Sequence, residues 1–130
     1  MDIKDLTFII FGGTGDLVRR KLVPALAGLV KEGVLSKNSI IIGIGRREFD
    51  NVSYKQFLID STSKNEEKRY LTELDIRYLC NDHLQPDYLP KLIHLLDNLD
   101  PLGTRGRIYY LAATNRLYNT QRITSNTYHL

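Results

Sequence analysis

Phe8-Ile9-Ile10-Phe11-Gly12-Gly13-Thr14-Gly15-Asp16-Leu17-Val18-Arg19-Arg20-Lys21-Leu22 decides how this chain is read. An apolar run stops at two glycines, and a helical pattern starts two residues later. A continuous apolar run marks a strand buried on both faces, as in a parallel sheet. Glycines permit the tight turn that follows it. A strand entering a helix through such a turn aims backbone N–H groups at one point, where the helix N-terminus adds partial positive charge. Phosphate is the ligand that such a point attracts, so the stretch predicts a nucleotide or dinucleotide site.

Outward from the turn, strands and helices alternate. Residues 6–11 read as the first strand. A helix follows from residue 14 or 15 to 32, with Val18, Leu22, Ala25, Leu26, Leu29 and Val30 on one face. Gly33 suits its C-terminal cap. Pro24, inside it, cannot donate to the Arg20 carbonyl and predicts a bend. Ile40-Ile41-Ile42-Gly43-Ile44 is the second strand. A helix over 52–61 carries Tyr54, Phe57 and Leu58 on one face. The polar segment 61–68 is a loop or a helix start. The third strand is 76–80. The last helix, 87–99, has Leu89, Leu92, Ile93 and Leu96 as its stripe. Asp100-Pro101-Leu102-Gly103 is a turn before a fourth strand at 107–112.

This order predicts an α/β fold: a Rossmann-like, doubly wound parallel sheet with right-handed crossovers. With about four strands and their flanking helices it is incomplete, since no fifth or sixth strand can be read. Residues 1–118 are assigned to the first part of a dinucleotide-binding domain, and 119–130 to a polar, poorly ordered tail. A catalytic and substrate domain is expected outside these residues. The open edge of an incomplete sheet predicts self-association.

Composition narrows the function classes. The 130 residues suffice for about one domain with a real core. With 42% hydrophobic and 25% charged residues the chain falls among ordinary soluble proteins. No apolar run approaches the roughly 18–20 residues that span a bilayer, so no membrane partner is expected. Met1-Asp2-Ile3-Lys4-Asp5 lacks the pattern of a secretory signal. Cys80 is the only cysteine, which excludes an intrachain disulfide and points to a cytoplasmic location. The net charge is +3, and the basic residues gather at Arg19-Arg20-Lys21 and Arg46-Arg47, beside the predicted turn. An anionic cofactor explains them. Nucleic acid is not an expected partner, because no basic surface interleaved with aromatics is present. His83, His94 and His129 lack zinc spacing, and His94 reads as structural.

The turn departs from the common G-x-G-x-x-G fingerprint: Gly13-Thr14-Gly15-Asp16-Leu17-Val18 ends in valine. A plain strand–helix turn would also use these glycines. The Thr14 hydroxyl can donate to a phosphate or cap the helix. Asp16 suits the first helical turn, although its charge repels an adjacent phosphate. The end of the second strand selects the cofactor. NAD sites place an acidic residue there for the ribose 2′-OH, whereas a 2′-phosphate needs arginine. Here the strand ends Ile44-Gly45-Arg46-Arg47-Glu48. Both guanidiniums can hold phosphate bidentately, which favours NADP, and Glu48 leaves use of NAD open as well. A solvated basic loop is the alternative. Lys21, leaning toward the helix N-terminus, can reach an anionic substrate or can simply snorkel at the rim. Tyr109, Tyr110 and Tyr118 read as packing residues.

Together these residues resemble glucose-6-phosphate dehydrogenases. The run Gly12 to Leu26 resembles the family's glycine turn, its G-D-L, its basic pair and its K-L-x-P-A/S, in which Pro24 has a place. Ile42-Gly43-Ile44-Gly45-Arg46 resembles the second strand with its arginine, and Arg107-Ile108-Tyr109-Tyr110-Leu111-Ala112 the fourth. The resemblance implies that Gly12, Gly13, Thr14, Gly15, Asp16 and Leu17 line the cofactor pyrophosphate, and that Arg46, with Arg47 beside it, meets the 2′-phosphate. It implies Lys21 at the substrate or the nicotinamide end, and Tyr118 near the cofactor. The implied reaction oxidises glucose 6-phosphate to 6-phosphoglucono-lactone and passes hydride to NADP, in the pentose phosphate pathway, with a histidine of a second domain as general base.

The family's E-K-P and R-I-D-H-Y-L-G-K motifs do not occur in these residues, and His129 does not match the catalytic histidine. Ala113-Thr114-Asn115-Arg116 stands where the family has prolines. The expectation is therefore an NADP-binding portion that is inactive alone and meets glucose 6-phosphate only in a full-length enzyme. A non-catalytic or degenerate nucleotide-binding module is the alternative.

Overall fold

Strand β1, Leu6–Phe11, lies at the centre of a five-stranded parallel sheet. The computed structural model describes residues 5–16, 18–81, 87–103, 105–111 and 127–129. The other strands are β2 (Ile40–Gly45), β3 (Asp75–Cys80), β4 (Gly106–Leu111) and β5 (Thr127–His129), in the spatial order β3-β2-β1-β4-β5. Ile9 of β1 sits between Ile42 of β2 and Tyr109 of β4. The strand order reverses at β1, and open α/β sheets bind ligands beyond the carboxyl ends of the strands at such a reversal.

Helices α1 (Val23–Lys31), α2 (Asn51–Asp60), α3 (Asn65–Glu73) and α4 (Tyr88–Leu99) divide between the two faces. Successive strand residues point to opposite sides. Phe8 and Ile10 pack with Leu26 and Val30 of α1, Tyr54 and Leu58 of α2, and Leu71 of α3. Ile9 and Phe11 pack with Ile42, Ile44 and the α4 residues Leu92 and Leu96. Burial on both sides explains the unbroken apolar runs, and the doubly wound expectation holds.

The first helix differs from its expected form. A π-helical turn spans Val18–Leu22, and α1 begins only at Val23. Pro24 therefore lies in the first positions of an α-helix, where a missing N–H costs nothing. The irregularity expected at Pro24 takes the form of this widened turn. At the other end Gly33, with φ of 74°, closes α1 as expected. Its N–H donates to the Val30 carbonyl at 3.1 Å, and the Val34 N–H donates to the Leu29 carbonyl at 3.0 Å, the paired bonds of a Schellman cap.

Asp50 and Ser53 cap α2 reciprocally: the Asp50 carboxylate accepts from the Ser53 N–H at 2.7 Å, and the Ser53 hydroxyl accepts from the Asp50 N–H at 3.0 Å. Within the segment 61–68, the helix start lies at Asn65. On α4 only half of the stripe is covered. Leu92 and Leu96 are buried, but Leu89 and Ile93 are 39% and 50% exposed. His94 is exposed too, with a ring nitrogen 3.3 Å from the Asn98 amide, so it is no core residue.

Strand β5 corrects the expectation of no fifth strand. It pairs Thr127, Tyr128 and His129 with Arg107, Ile108 and Tyr109. Three residues are too few to show an alternating pattern, which is why the polar tail concealed it. The rest of that tail lies outside the described residues.

Candidate functional site

The glycine turn leaves β1 at the reversal of strand order. Gly12 adopts φ of 76°, a left-handed conformation that favours glycine. Its N–H and that of Gly13 both donate to the Ile44 carbonyl at the end of β2, at 3.0 and 2.9 Å. The Gly15 N–H donates to the Gly12 carbonyl at 3.2 Å. These three groups were expected to face phosphate, and they instead fasten the turn to β2 and to itself. Among the described residues, the Thr14 and Asp16 N–H groups have no such partner. The donors without a backbone partner among the described residues thus lie in the second half of the turn. Thr14 Oγ1 makes no hydrogen bond among the described residues.

Beneath the turn lies Tyr54, fully buried, whose hydroxyl donates to the Gly13 carbonyl at 2.8 Å. Burial pushes its phenol far above the ordinary tyrosine value. The ring occupies the space that side chains at Gly13 and Gly43 would need. A Cβ on Gly43 would stand 2.3 Å from Tyr54 Cζ, and one on Gly13 would stand 2.7 Å from Tyr54 Oη. Both glycines are therefore required for close approach and not by turn conformation.

Tyr78 of β3 lies against Tyr54 with ring centroids 4.6 Å apart. Its hydroxyl donates to the Arg47 carbonyl at 2.7 Å. Burial pushes this phenol up to about 12, with the Cys80 thiol adding to the shift and Arg47 opposing it. The Cys80 Sγ also lies 3.2 Å from the Arg47 carbonyl, and the Asn81 N–H donates to the Gly45 carbonyl at 2.8 Å. At Gly45 a Cβ would stand 2.9 Å from Tyr78 Oη and 3.3 Å from Thr14 Oγ1. Glycine here lets Thr14 of the turn sit directly beside the loop that carries the arginines.

Arg46 and Arg47 are exposed, and neither joins an ion pair among the described residues. The Arg47 guanidinium lies over the rings of Phe49 and Phe57, at 5.0 and 5.1 Å. Asp16 pairs with Arg19 at 2.5 Å, and this hydrogen-bonded partner holds its carboxyl below the usual value. The pairing offsets the negative charge at the mouth of the turn. Lys21 is exposed in the π-helical turn, between buried Val18 and Leu22. Tyr109 is buried and stacks on Phe11 at 6.0 Å, in keeping with a packing role. Leu17 and Tyr118 lie outside the described residues.

Tyr54 and Tyr78 are the site residues that sequence reading missed. The signal was Gly43 inside a run of isoleucines, since a glycine within a strand marks the close approach of another group.

Comparison with known proteins agrees with this geometry. Residues 9–128 match the family described as glucose-6-phosphate dehydrogenase, NAD binding domain. The glucose-6-phosphate 1-dehydrogenase of Gluconobacter oxydans (strain 621H) is 32% identical over 98% of this chain and 27% of its own length. That of Chlamydia muridarum (strain MoPn / Nigg) is 34% identical over 80% of this chain and 22% of its own. The chain thus spans about a quarter of the length of these relatives. A solved glucose-6-phosphate dehydrogenase in complex with its substrate glucose-6-phosphate shares the fold, with a TM-score of 0.76 and 20% identity over 99% of this chain and 30% of that one. Among the described residues no helix is long and apolar enough to cross a membrane. A glycine turn fastened to β2 at a reversal of strand order, and a family match over nearly all of the sequence, place the chain in the glucose-6-phosphate dehydrogenase family, as its nicotinamide nucleotide-binding domain.

Proposed function

We propose that this chain is the NADP-binding portion of a cytoplasmic glucose-6-phosphate 1-dehydrogenase. The observation that carries the reading is the pair of exposed guanidiniums, Arg46 and Arg47, which join no ion pair among the described residues and are set beside the glycine turn by Gly45. Two cations at that place suit a 2′-phosphate, whereas the ribose 2′-OH of NAD calls for an acceptor. The donor set of the turn fits the remainder of the cofactor: among the described residues the Thr14 and Asp16 N–H groups have no backbone partner, and a pyrophosphate needs such donors.

In this reading Gly12, Gly13 and Gly15 hold the shape of the turn, Arg46 takes the 2′-phosphate, and Arg47 stands beside it on its two phenylalanines. Lys21 is directed to the substrate or the nicotinamide end, and Leu17 and Tyr118 complete the cofactor contacts. Bound NADP supplies the hydride acceptor; the residues of this chain bind and orient it. Oxidation of glucose 6-phosphate to the lactone then requires groups of a full-length enzyme, because the family's substrate motifs and catalytic histidine are not in this sequence.

Titration calorimetry tests the assignment. Arg46→Ala is expected to weaken NADPH binding by about 1–3 kcal/mol, as for a charge-assisted contact, and NADH binding much less. Equal losses for the two would remove the 2′-phosphate role. In the same experiment the 130-residue chain should bind nucleotide yet form no NADPH from glucose 6-phosphate and NADP. Turnover by the chain alone would refute its proposed inactivity.

A further inference from the structure

Two tyrosines connect the parts of the site that the cofactor has to bridge. Tyr54 donates its hydroxyl to the Gly13 carbonyl in the phosphate turn. Tyr78 donates its own to the Arg47 carbonyl in the arginine loop. Their rings are 4.6 Å apart, and Phe49 closes the group with its ring 6.0 Å from Tyr54 and 5.6 Å from Tyr78. The same Phe49 lies under the Arg47 guanidinium. Tyr54 is 0% and Tyr78 8% exposed, so neither ring has room to swing away.

We infer that Tyr54 and Tyr78 are positioning residues that together form a strut, setting the distance between the pyrophosphate-binding turn and the arginines that read the 2′-phosphate. The inference rests on the NADP reading above and assigns residues that the reading leaves out. Each phenol acts on a backbone carbonyl and through it on the groups that touch the ligand. Gly43 and Gly45 are the clearances that let the strut pass, because a Cβ at either would meet a tyrosine. The Cys80 thiol and the Tyr78 hydroxyl converge on one carbonyl, that of Arg47, so the arginine loop is gripped from β3. A loop held in this way has little freedom to lose when it meets phosphate, which favours binding through preorganisation.

The two ends of the strut predict different losses. Binding of 2′,5′-ADP and of 5′-AMP to the 130-residue chain is measured by calorimetry; the two share the 5′-phosphate and differ only in the 2′-phosphate. Tyr78→Phe keeps the ring and removes one hydroxyl. It is expected to weaken 2′,5′-ADP by about 3- to 10-fold, the range of one hydrogen bond, and 5′-AMP by less than about 2-fold. Tyr54→Phe is expected to weaken both ligands together, by about 3- to 10-fold. After Arg46 and Arg47 have been replaced by alanine, Tyr78→Phe should have no further effect on 2′,5′-ADP, since coupled residues are not additive.

An unchanged ligand ratio in Tyr78→Phe, or equal affinities of Tyr54→Phe and the wild type for both ligands, overturns the strut. If Tyr78→Phe does not fold, as judged by its circular dichroism, Tyr54→Phe decides the matter. Failure of the underlying reading looks different: the wild-type chain would then bind 2′,5′-ADP no better than 5′-AMP, and the strut would fall with it.

Discussion

Tyr54→Ala is expected to lower folding stability by about 3–5 kcal/mol, the range for removing a large buried aromatic. The side chain is 0% exposed and lies among the rings of Phe49, Phe57 and Tyr78. Two losses combine in this variant. Deleting the hydroxyl leaves the Gly13 carbonyl short of a partner, at about 1 kcal/mol. Deleting the ring opens a cavity beneath the turn, which is the larger effect. Tyr54→Phe suffers only the first and should retain most of the stability. Urea denaturation of the two variants separates the contributions. Similar midpoints for Tyr54→Ala and the wild type would mean that the ring is not packed as described. Domains have only about 5–15 kcal/mol in hand, so Tyr54→Ala stands near the limit of folding.

Gly43→Ala is the complementary experiment and adds one methyl group where Tyr54→Ala removes a ring. The new Cβ would stand 2.3 Å from both Cζ and Oη of Tyr54. Nothing nearby yields easily. Gly43 is paired with Ile10 on one side and Tyr78 on the other, and the Tyr54 ring is enclosed. Overpacking of this kind costs about 3 kcal/mol, at the upper end of the common range. Tyr54→Ala in the same chain gives the methyl group a place. The double variant should therefore lose clearly less than the sum of the two single ones, again by urea denaturation. Strict additivity would contradict the clash as the cause.

The parts of the fold visible in the sequence are those in which residue type itself carries the physics. Phe8-Ile9-Ile10-Phe11 and Ile40-Ile41-Ile42 announce strands buried on both faces, and Gly33 announces the end of α1 because its left-handed conformation suits no other residue so well. Arg46 and Arg47 were legible as cations at a strand end. What the sequence conceals is where backbone groups go. The Ile44 carbonyl has no signature, yet it takes the N–H groups of Gly12 and Gly13 that the turn seemed to offer to phosphate. Helical periodicity placed Tyr54 on a buried face but is blind to which carbonyl its hydroxyl finds. Periodicity likewise put Leu89 and Ile93 in one stripe with Leu92 and Leu96, because spacing defines a face and not how far the neighbouring sheet extends beneath it. Pro24 marked an irregularity in the first helix, but the π-helical turn before it leaves no pattern in residue type.

The hold of Ile44 on the turn has a thermodynamic consequence. Gly12 follows β1 and Ile44 lies in β2, and the bond between them exists only once β2 lies against β1. An extended or partly folded chain therefore has no nucleotide cradle at all. A ligand that recognises the assembled state alone draws the folding equilibrium toward it, by about 2.7 kcal/mol at a concentration one hundred times its dissociation constant. A dinucleotide that binds the turn is therefore expected to act as a folding ligand of this sheet. The melting temperature of the chain should climb with the logarithm of nucleotide concentration, so that thermal stability becomes a direct measure of how full the cradle is.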